Sequence, residues 1–216
     1  MPRLTKEEEA QRLLAMWDIE NTLFAEDYDI IAGVDEAGRG PLAGDVYAAA
    51  VILPKGLIIE GLNDSKKISE KKRDMLYDVI KEKAVAWAVA TASVEEIDEY
   101  NIRNATYMAM NRALADLKTK IDYVLVDGDC IKDCEYPHSC VVKGDSKSAS
   151  ISAASILAKV TRDRYMAGLA EKYPQYQFDK HKGYGTALHI EMLKKYGASD
   201  VHRKTFIKKF VLYVKA

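Results

Sequence analysis

The sequence contains no apolar run approaching the ~20 residues that a membrane-spanning helix requires, so a helical membrane protein is not expected. Its first nine residues, Met1-Pro2-Arg3-Leu4-Thr5-Lys6-Glu7-Glu8-Glu9, are too acidic for a secretory leader, and a cytoplasmic location is the expectation. Cysteine is scarce. Cys130, Cys134 and Cys140 are odd in number and close together, which predicts reduced thiols in place of a disulfide framework. His138 lies among them, but Cys-x3-Cys-x5-Cys is not a zinc-knuckle spacing and only one histidine could complete it, so no zinc is expected. A net charge of −1 excludes a general basic field, and internal repeats and low-complexity tracts are absent.

What is present is an ordinary globular composition: 216 residues, 48% hydrophobic and 30% charged, enough for one main domain with a sizeable core. The near-neutral charge hides an asymmetry. Residues 1–36 carry three Lys/Arg against ten Asp/Glu, and residues 180–216 carry nine against two. The C-terminal part can therefore meet phosphates while the acidic part serves another purpose.

Leu4 to Phe24 reads as one amphipathic helix, with Leu13, Leu14, Trp17, Ile19 and Leu23 on or near one face. Ile30 to Val34 and Val46 to Leu53 are apolar runs joined by a glycine-rich connection, the pattern of adjacent strands. Ser69 opens a helix, and Ala84 to Ala92 alternates like a strand. Ser93-Val94-Glu95-Glu96 has capping-box spacing before a helix interrupted near Asn101. Tyr123 to Asp127 and Cys140 to Asp145 are further strands, and helices follow over Ile151 to Leu169 and Thr186 to Tyr196. The expectation is an α/β domain over residues 28–170, a helical extension over 1–27 and a small helical portion over 171–216.

Three of these strands end in acids: Asp35-Glu36, Asp127 and Asp145. Strand ends on one side of a sheet are where α/β folds build sites. Clustered carboxylates repel and raise one another's pKa unless a cation neutralises them, and an all-oxygen set favours a hard ion, Mg²⁺ or Mn²⁺. Two such ions ~4 Å apart can activate an attacking water and stabilise a leaving oxygen in phosphodiester cleavage. Adjacent strand residues face opposite ways, so Asp35 and Glu36 can share a site only where the strand ends or bends, and Ala37-Gly38 allows this. Asp129 and Asp163 are rivals for places in the cluster.

Gly33-Val34-Asp35-Glu36-Ala37-Gly38-Arg39-Gly40-Pro41-Leu42-Ala43-Gly44 resembles the N-terminal signature of the ribonuclease HII family. Asn63 to Lys67, Val126-Asp127-Gly128, Lys143 to Ser146, Ser152 to Asp163 and His181 to Thr186 resemble further segments of that family in the same order, with a weaker echo at His202 to Phe206. The acidic N-terminal helix and the cysteine-bearing loop lie outside these segments. Tyr196 to Asp200 also lacks a proline expected of the family. Arg39 argues against the related ribonuclease HIII, whose glycine motif has no arginine.

The resemblance implies a ribonuclease H-like fold, a mixed five-stranded sheet flanked by helices. It implies Asp35, Glu36, Asp127 and Asp145 as catalytic, metal-binding residues, which favours Asp145 over Asp163. It further implies that Gly38, Arg39 and Gly40 read a ribose 2′-hydroxyl and that Tyr184 stacks on the sugar at the junction with DNA. Physical reasoning agrees, because only close backbone approach can test one hydroxyl, and glycine permits it. Lys66, Lys67, Lys143, Lys147 and Lys182 are expected phosphate contacts. The expected enzyme is a monomer that uses Mg²⁺ or Mn²⁺ to cut 5′ to a ribonucleotide in RNA/DNA hybrids or in duplex DNA, leaving 3′-hydroxyl and 5′-phosphate ends. A hybrid nuclease without junction preference and a non-catalytic binding module are the alternatives.

Overall fold

Val34, Ala50 and Val124 on one face of the sheet and Ala49, Val51 and Leu125 on the other are wholly buried, and strands this apolar on both faces form only between two covering layers. The computed structural model describes residues 5–211. Its strands are β1 (Ile31–Ala37), β2 (Val46–Ile52), β3 (Ala86–Ala92), β4 (Tyr123–Asp127) and β5 (His138–Val141). They make one sheet in the order β3-β2-β1-β4-β5, with β1-β2 and β2-β3 antiparallel and β1-β4 and β4-β5 parallel. This is the mixed five-stranded sheet that the family resemblance implies.

Helices α1 (Lys6–Ala15), α2 (Asp18–Ala25), α3 (Glu70–Lys83) and α5 (Ala149–Lys172) cover one face, where Leu13, Trp17, Val51, Ile80, Ala153 and Leu157 share a core. Helix α4 (Val94–Asp116) covers the other, packing Ile97, Met110 and Leu114 against Val34, Ala50 and Val124. Each such aliphatic side chain contributes ~1.5–3 kcal/mol by leaving water. Helix α5 crosses β1 directly, because a Cβ on Gly33 would strike the backbone of Ser150 and Ile151. Its alanines and serines keep that approach close. Helices α6 (Phe178–His181), α7 (Ala187–Tyr196) and α8 (Lys204–Val211) form the C-terminal portion, and its core joins Met166, Tyr176, Phe178 and Met192 to Ala43.

Local signals hold where they were strongest. Ser93 and Glu96 form a reciprocal capping box, and α4 kinks at Asn101, with φ 65°. Thr186 caps α7 and Gly197 ends it.

Three expectations are corrected. The N-terminal helix is two helices, broken at Met16 and Trp17, where the Trp17 indole donates to the Leu57 carbonyl at 3.1 Å and Leu14 faces solvent. Leu4, where one helix was expected to begin, and residues 212–216 lie outside the described residues. Strand β5 ends at Val141, because Lys143 takes a left-handed conformation (φ 58°) and turns the chain, so Asp145 lies on a short 3-10 turn (Gly144–Ser146). Cys130 and Cys140 form a disulfide, leaving Cys134 free, where reduced thiols were expected. The reason is topological: Cys140 pairs with Val126 across the parallel β4-β5 ladder, and the chain leaving β4 passes back beside it.

Candidate active site

The parallel ladder places the acids. Val34 of β1 pairs with Val126 of β4, so the next residues, Asp35 and Asp127, emerge side by side at the same sheet edge. Asp127 reaches forward to the following turn. Its Oδ1 accepts the backbone N–H of Gly144 at 2.5 Å and, at 3.4 Å, that of Asp145. Carboxylate oxygens of Asp35, Asp127 and Asp145 consequently lie within 4.8 Å of one another.

Asp35 is 3% exposed and Asp145 6%. Burial raises the pKa of Asp35 well above the ordinary carboxylate range, and the charges of Glu36 and Asp127 push it further. Asp145 is raised for the same reasons, burial first and then Asp127 and Asp64. Lys66 Nζ is the nearest counter-charge, 3.9 Å from Asp145 Oδ2. Burial alone would lower the pKa of that lysine, but Asp35, Asp145 and other acids outweigh it and raise it. Three crowded carboxylates facing one long ion pair form an oxygen donor set suited to a hard divalent cation.

Glu36 stands beside this group and outside the three-acid set. Its Oε1 lies 3.5 Å from Arg39 Nη1. Burial raises its pKa, with Arg39 opposing. Of the rivals, Asp163 pairs with Lys159 at 2.6 Å along α5, and Asp129 is exposed beyond Gly128. Neither belongs to the cluster.

Next to the acids, Glu36, Gly38, Arg39, Gly40, Ser65, Lys66, Lys159 and Tyr184 line a cleft. Gly38 has φ +102°, and Arg162 fills the space its Cβ would take. Tyr184 is 43% exposed and faces Gly40. Lys67 pairs with Asp64 at 3.3 Å. Lys143 and Lys147 are exposed on either side of Asp145, and Lys182 lines a second, charged cleft with Arg73, Asp163 and Arg164.

Four kinds of residue escaped the sequence reading. Asp64 is a further buried acid beside Asp145; its own pKa is lowered because hydrogen bonds and charge from Lys66 and Lys67 outweigh its burial. Glu20 of α2 is 1% exposed, and its Oε1 accepts from Ser148 Oγ (2.6 Å), Ser150 N (3.1 Å) and Ser150 Oγ (2.7 Å) at the start of α5. Its spacing from Leu13, Trp17 and Leu23 places it on the apolar face, and that was the signal available. His181, His189 and His202 are buried together, His189 Nε2 lying 3.1 Å from His202 Nε2. Arg162 and Arg203 are also buried, and both hold loop carbonyls.

A mixed sheet flanked by helices, with acids gathered where its parallel strands end, defines a protein of the ribonuclease H-like fold. The family model described as ribonuclease HII matches residues 32–209. A ribonuclease HII of Acetivibrio thermocellus is 50% identical over 210 residues, covering 97% of this chain and 82% of that one. The crystal structure of the ribonuclease H2 from Pyrococcus horikoshii OT3 shares a TM-score of 0.73 at 27% identity, over 86% of this chain and 99% of that one. Bst-RNase HIII in complex with Mn²⁺ shares the fold, with a TM-score of 0.68 at 16% identity over 100% of this chain and 76% of that one. The chain belongs to the ribonuclease HII family, endoribonucleases acting on RNA–DNA hybrids. Among the described residues no helix is long and apolar enough to cross a membrane.

Proposed function

We propose that this chain hydrolyses the phosphodiester 5′ to a ribonucleotide, in RNA/DNA hybrids and at single ribonucleotides embedded in duplex DNA, leaving 3′-hydroxyl and 5′-phosphate ends. The observation that carries this reading is the close grouping of Asp35, Asp127 and Asp145 beside the cleft of Gly38, Arg39, Gly40 and Tyr184. Asp35, Asp127 and Asp145 would hold Mg²⁺ or Mn²⁺, with Glu36 completing the set once its side chain is drawn from Arg39. The cation supplies electrostatic stabilisation of the attacking and leaving oxygens.

The chain's own residues do the rest. Asp127 fixes the Asp145 turn through the Gly144 N–H, so two ligands are positioned by one contact. The backbone of Gly38 to Gly40 tests the ribose 2′-hydroxyl, and Tyr184 stacks on the sugar at the DNA junction. Lys66, Lys67, Lys143, Lys147 and Lys182 neutralise phosphates along the strand. In this division residues 28–170 are the catalytic unit, 171–216 the substrate-binding portion and 1–27 an extension. The expected setting is ribonucleotide removal from DNA by a cytoplasmic monomer.

A labelled duplex carrying one ribonucleotide, incubated with Mg²⁺, Mn²⁺ or EDTA, tests the reading. The expected result is metal-dependent cleavage on the 5′ side of the ribose. Cleavage only within longer hybrids would instead point to a nuclease without junction preference, and binding without cleavage to a non-catalytic module.

A further inference from the structure

Two buried arginines converge on the loop that lines the cleft. Arg203, wholly buried, donates to Gly38 O (2.6 Å), Arg39 O (3.0 Å) and twice to Gly44 O (2.9 and 2.7 Å). Arg162, 1% exposed, donates to Ala43 O (3.2 Å), Asp45 O (3.2 Å) and Lys182 O (3.1 Å). Neither forms an ion pair among the described residues. Burying a guanidinium against carbonyls alone is costly, and a lysine cannot reproduce the planar fork that spans several carbonyls.

The consequence lies in the peptide plane. In a trans peptide the C=O and the following N–H point in opposite directions. With Gly38 O and Arg39 O turned to Arg203, the N–H groups of Arg39 and Gly40 turn away from it. No hydrogen bond among the described residues occupies either N–H. A charged donor on the carbonyl side also polarises the peptide and strengthens the N–H on the other. Arg162 sets the opposite wall, since it holds Lys182 O two residues before Tyr184 while packing against Gly38.

We propose that Arg203, with Arg162, is a positioning residue for ribose recognition: it aims the N–H groups of Arg39 and Gly40 at the 2′-oxygen and fixes their separation from Tyr184. The inference rests on the functional reading above, in which this loop tests the 2′-hydroxyl.

The test is fluorescence anisotropy in an Asp35→Asn background, which prevents cleavage, with two duplexes that differ only in one ribose or deoxyribose. Arg203→Lys keeps the charge and loses the fork. It is expected to lower the ribose-to-deoxyribose affinity ratio by roughly tenfold, the worth of one or two hydrogen bonds, with affinity for the all-deoxy duplex unchanged. A folded Arg203→Lys protein that keeps the parent's ratio, or weakens both duplexes equally as a merely structural role would, overturns the proposal. If that variant does not fold, Arg162→Lys is read by the same ratio, and an unchanged ratio again overturns it. A parent that shows no preference for ribose refutes the functional reading itself, so the two failures are distinct.

Discussion

The carboxylate of Asp127 and the backbone of Gly144 are joined by a hydrogen bond of 2.5 Å across seventeen residues of chain. That bond makes the last residue of β4 the anchor of the turn carrying Asp145. Asp127→Ala should leave two N–H groups without an acceptor and cost roughly 1–3 kcal/mol of stability, whereas Asp127→Asn keeps an acceptor oxygen and costs less. Urea denaturation of both variants separates the anchoring role from the loss of charge. Equal stabilities would contradict the anchoring.

Asp35 illustrates a site that opposes its own fold. A buried carboxyl whose pKa is raised contributes stability below its unfolded pKa, and that contribution is lost as pH rises. At pH 7.5 in EDTA, Asp35→Asn is therefore expected to be more stable than the wild type, while losing cleavage. Added Mn²⁺ should stabilise the wild type and leave the variant nearly unaffected. An Asn variant that melts lower in EDTA would contradict this crowding of charge.

The strands, the caps and the acids at strand ends were legible because their signals are local: apolar runs and alternation, Ser93 with Glu96, Val126 with Asp127. How the strands assemble into a mixed sheet came from the family resemblance. Asp145 was found, but on a turn where a strand end was expected, because the left-handed Lys143 leaves little trace in a run of apolar and polar residues. Glu36 was expected among the ligands, and its placement beside Arg39 reflects the opposite facing of neighbours in β1. Glu20, Arg162 and Arg203 were not found. Most of their partners lie more than a hundred residues away, and no local pattern encodes such contacts.

Glu20 ties the N-terminal helices to the edge that carries the acids, since Ser148 follows Asp145 by three residues and the Met16 carbonyl accepts from Ala149 N at 2.9 Å. Glu20 Oε2 has no partner among the described residues. Glu20→Gln keeps the accepting oxygen and should be nearly neutral. Glu20→Ala strands the Ser148 and Ser150 donors and should lose roughly 1–3 kcal/mol. Thermal denaturation of the pair decides this, and a neutral alanine variant would show that the clamp is dispensable.

The buried histidines predict an acid-sensitive C-terminal portion. Burial, chiefly, lowers both His189 and His202 from 6.5 to about 4. Below pH 6.5 the unfolded chain takes up protons that the folded chain refuses. The stabilisation present above 6.5 is then lost as pH falls toward 4, by up to about 1.4 kcal/mol per pH unit for each histidine. Urea denaturation between pH 7 and pH 5 should give a shallower pH dependence for His189→Gln than for the wild type. Comparing the two cancels the carboxylates' contribution, and parallel curves would contradict the prediction.

Calorimetric titration of the wild type, Asp35→Asn and Asp145→Asn with Mn²⁺ addresses the proposed metal centre without any substrate. Saturable binding by the wild type, weakened at least ~10-fold in each variant as expected when one charged ligand of a hard ion is lost, is the predicted result. Equal Mn²⁺ affinity in all three proteins would contradict it.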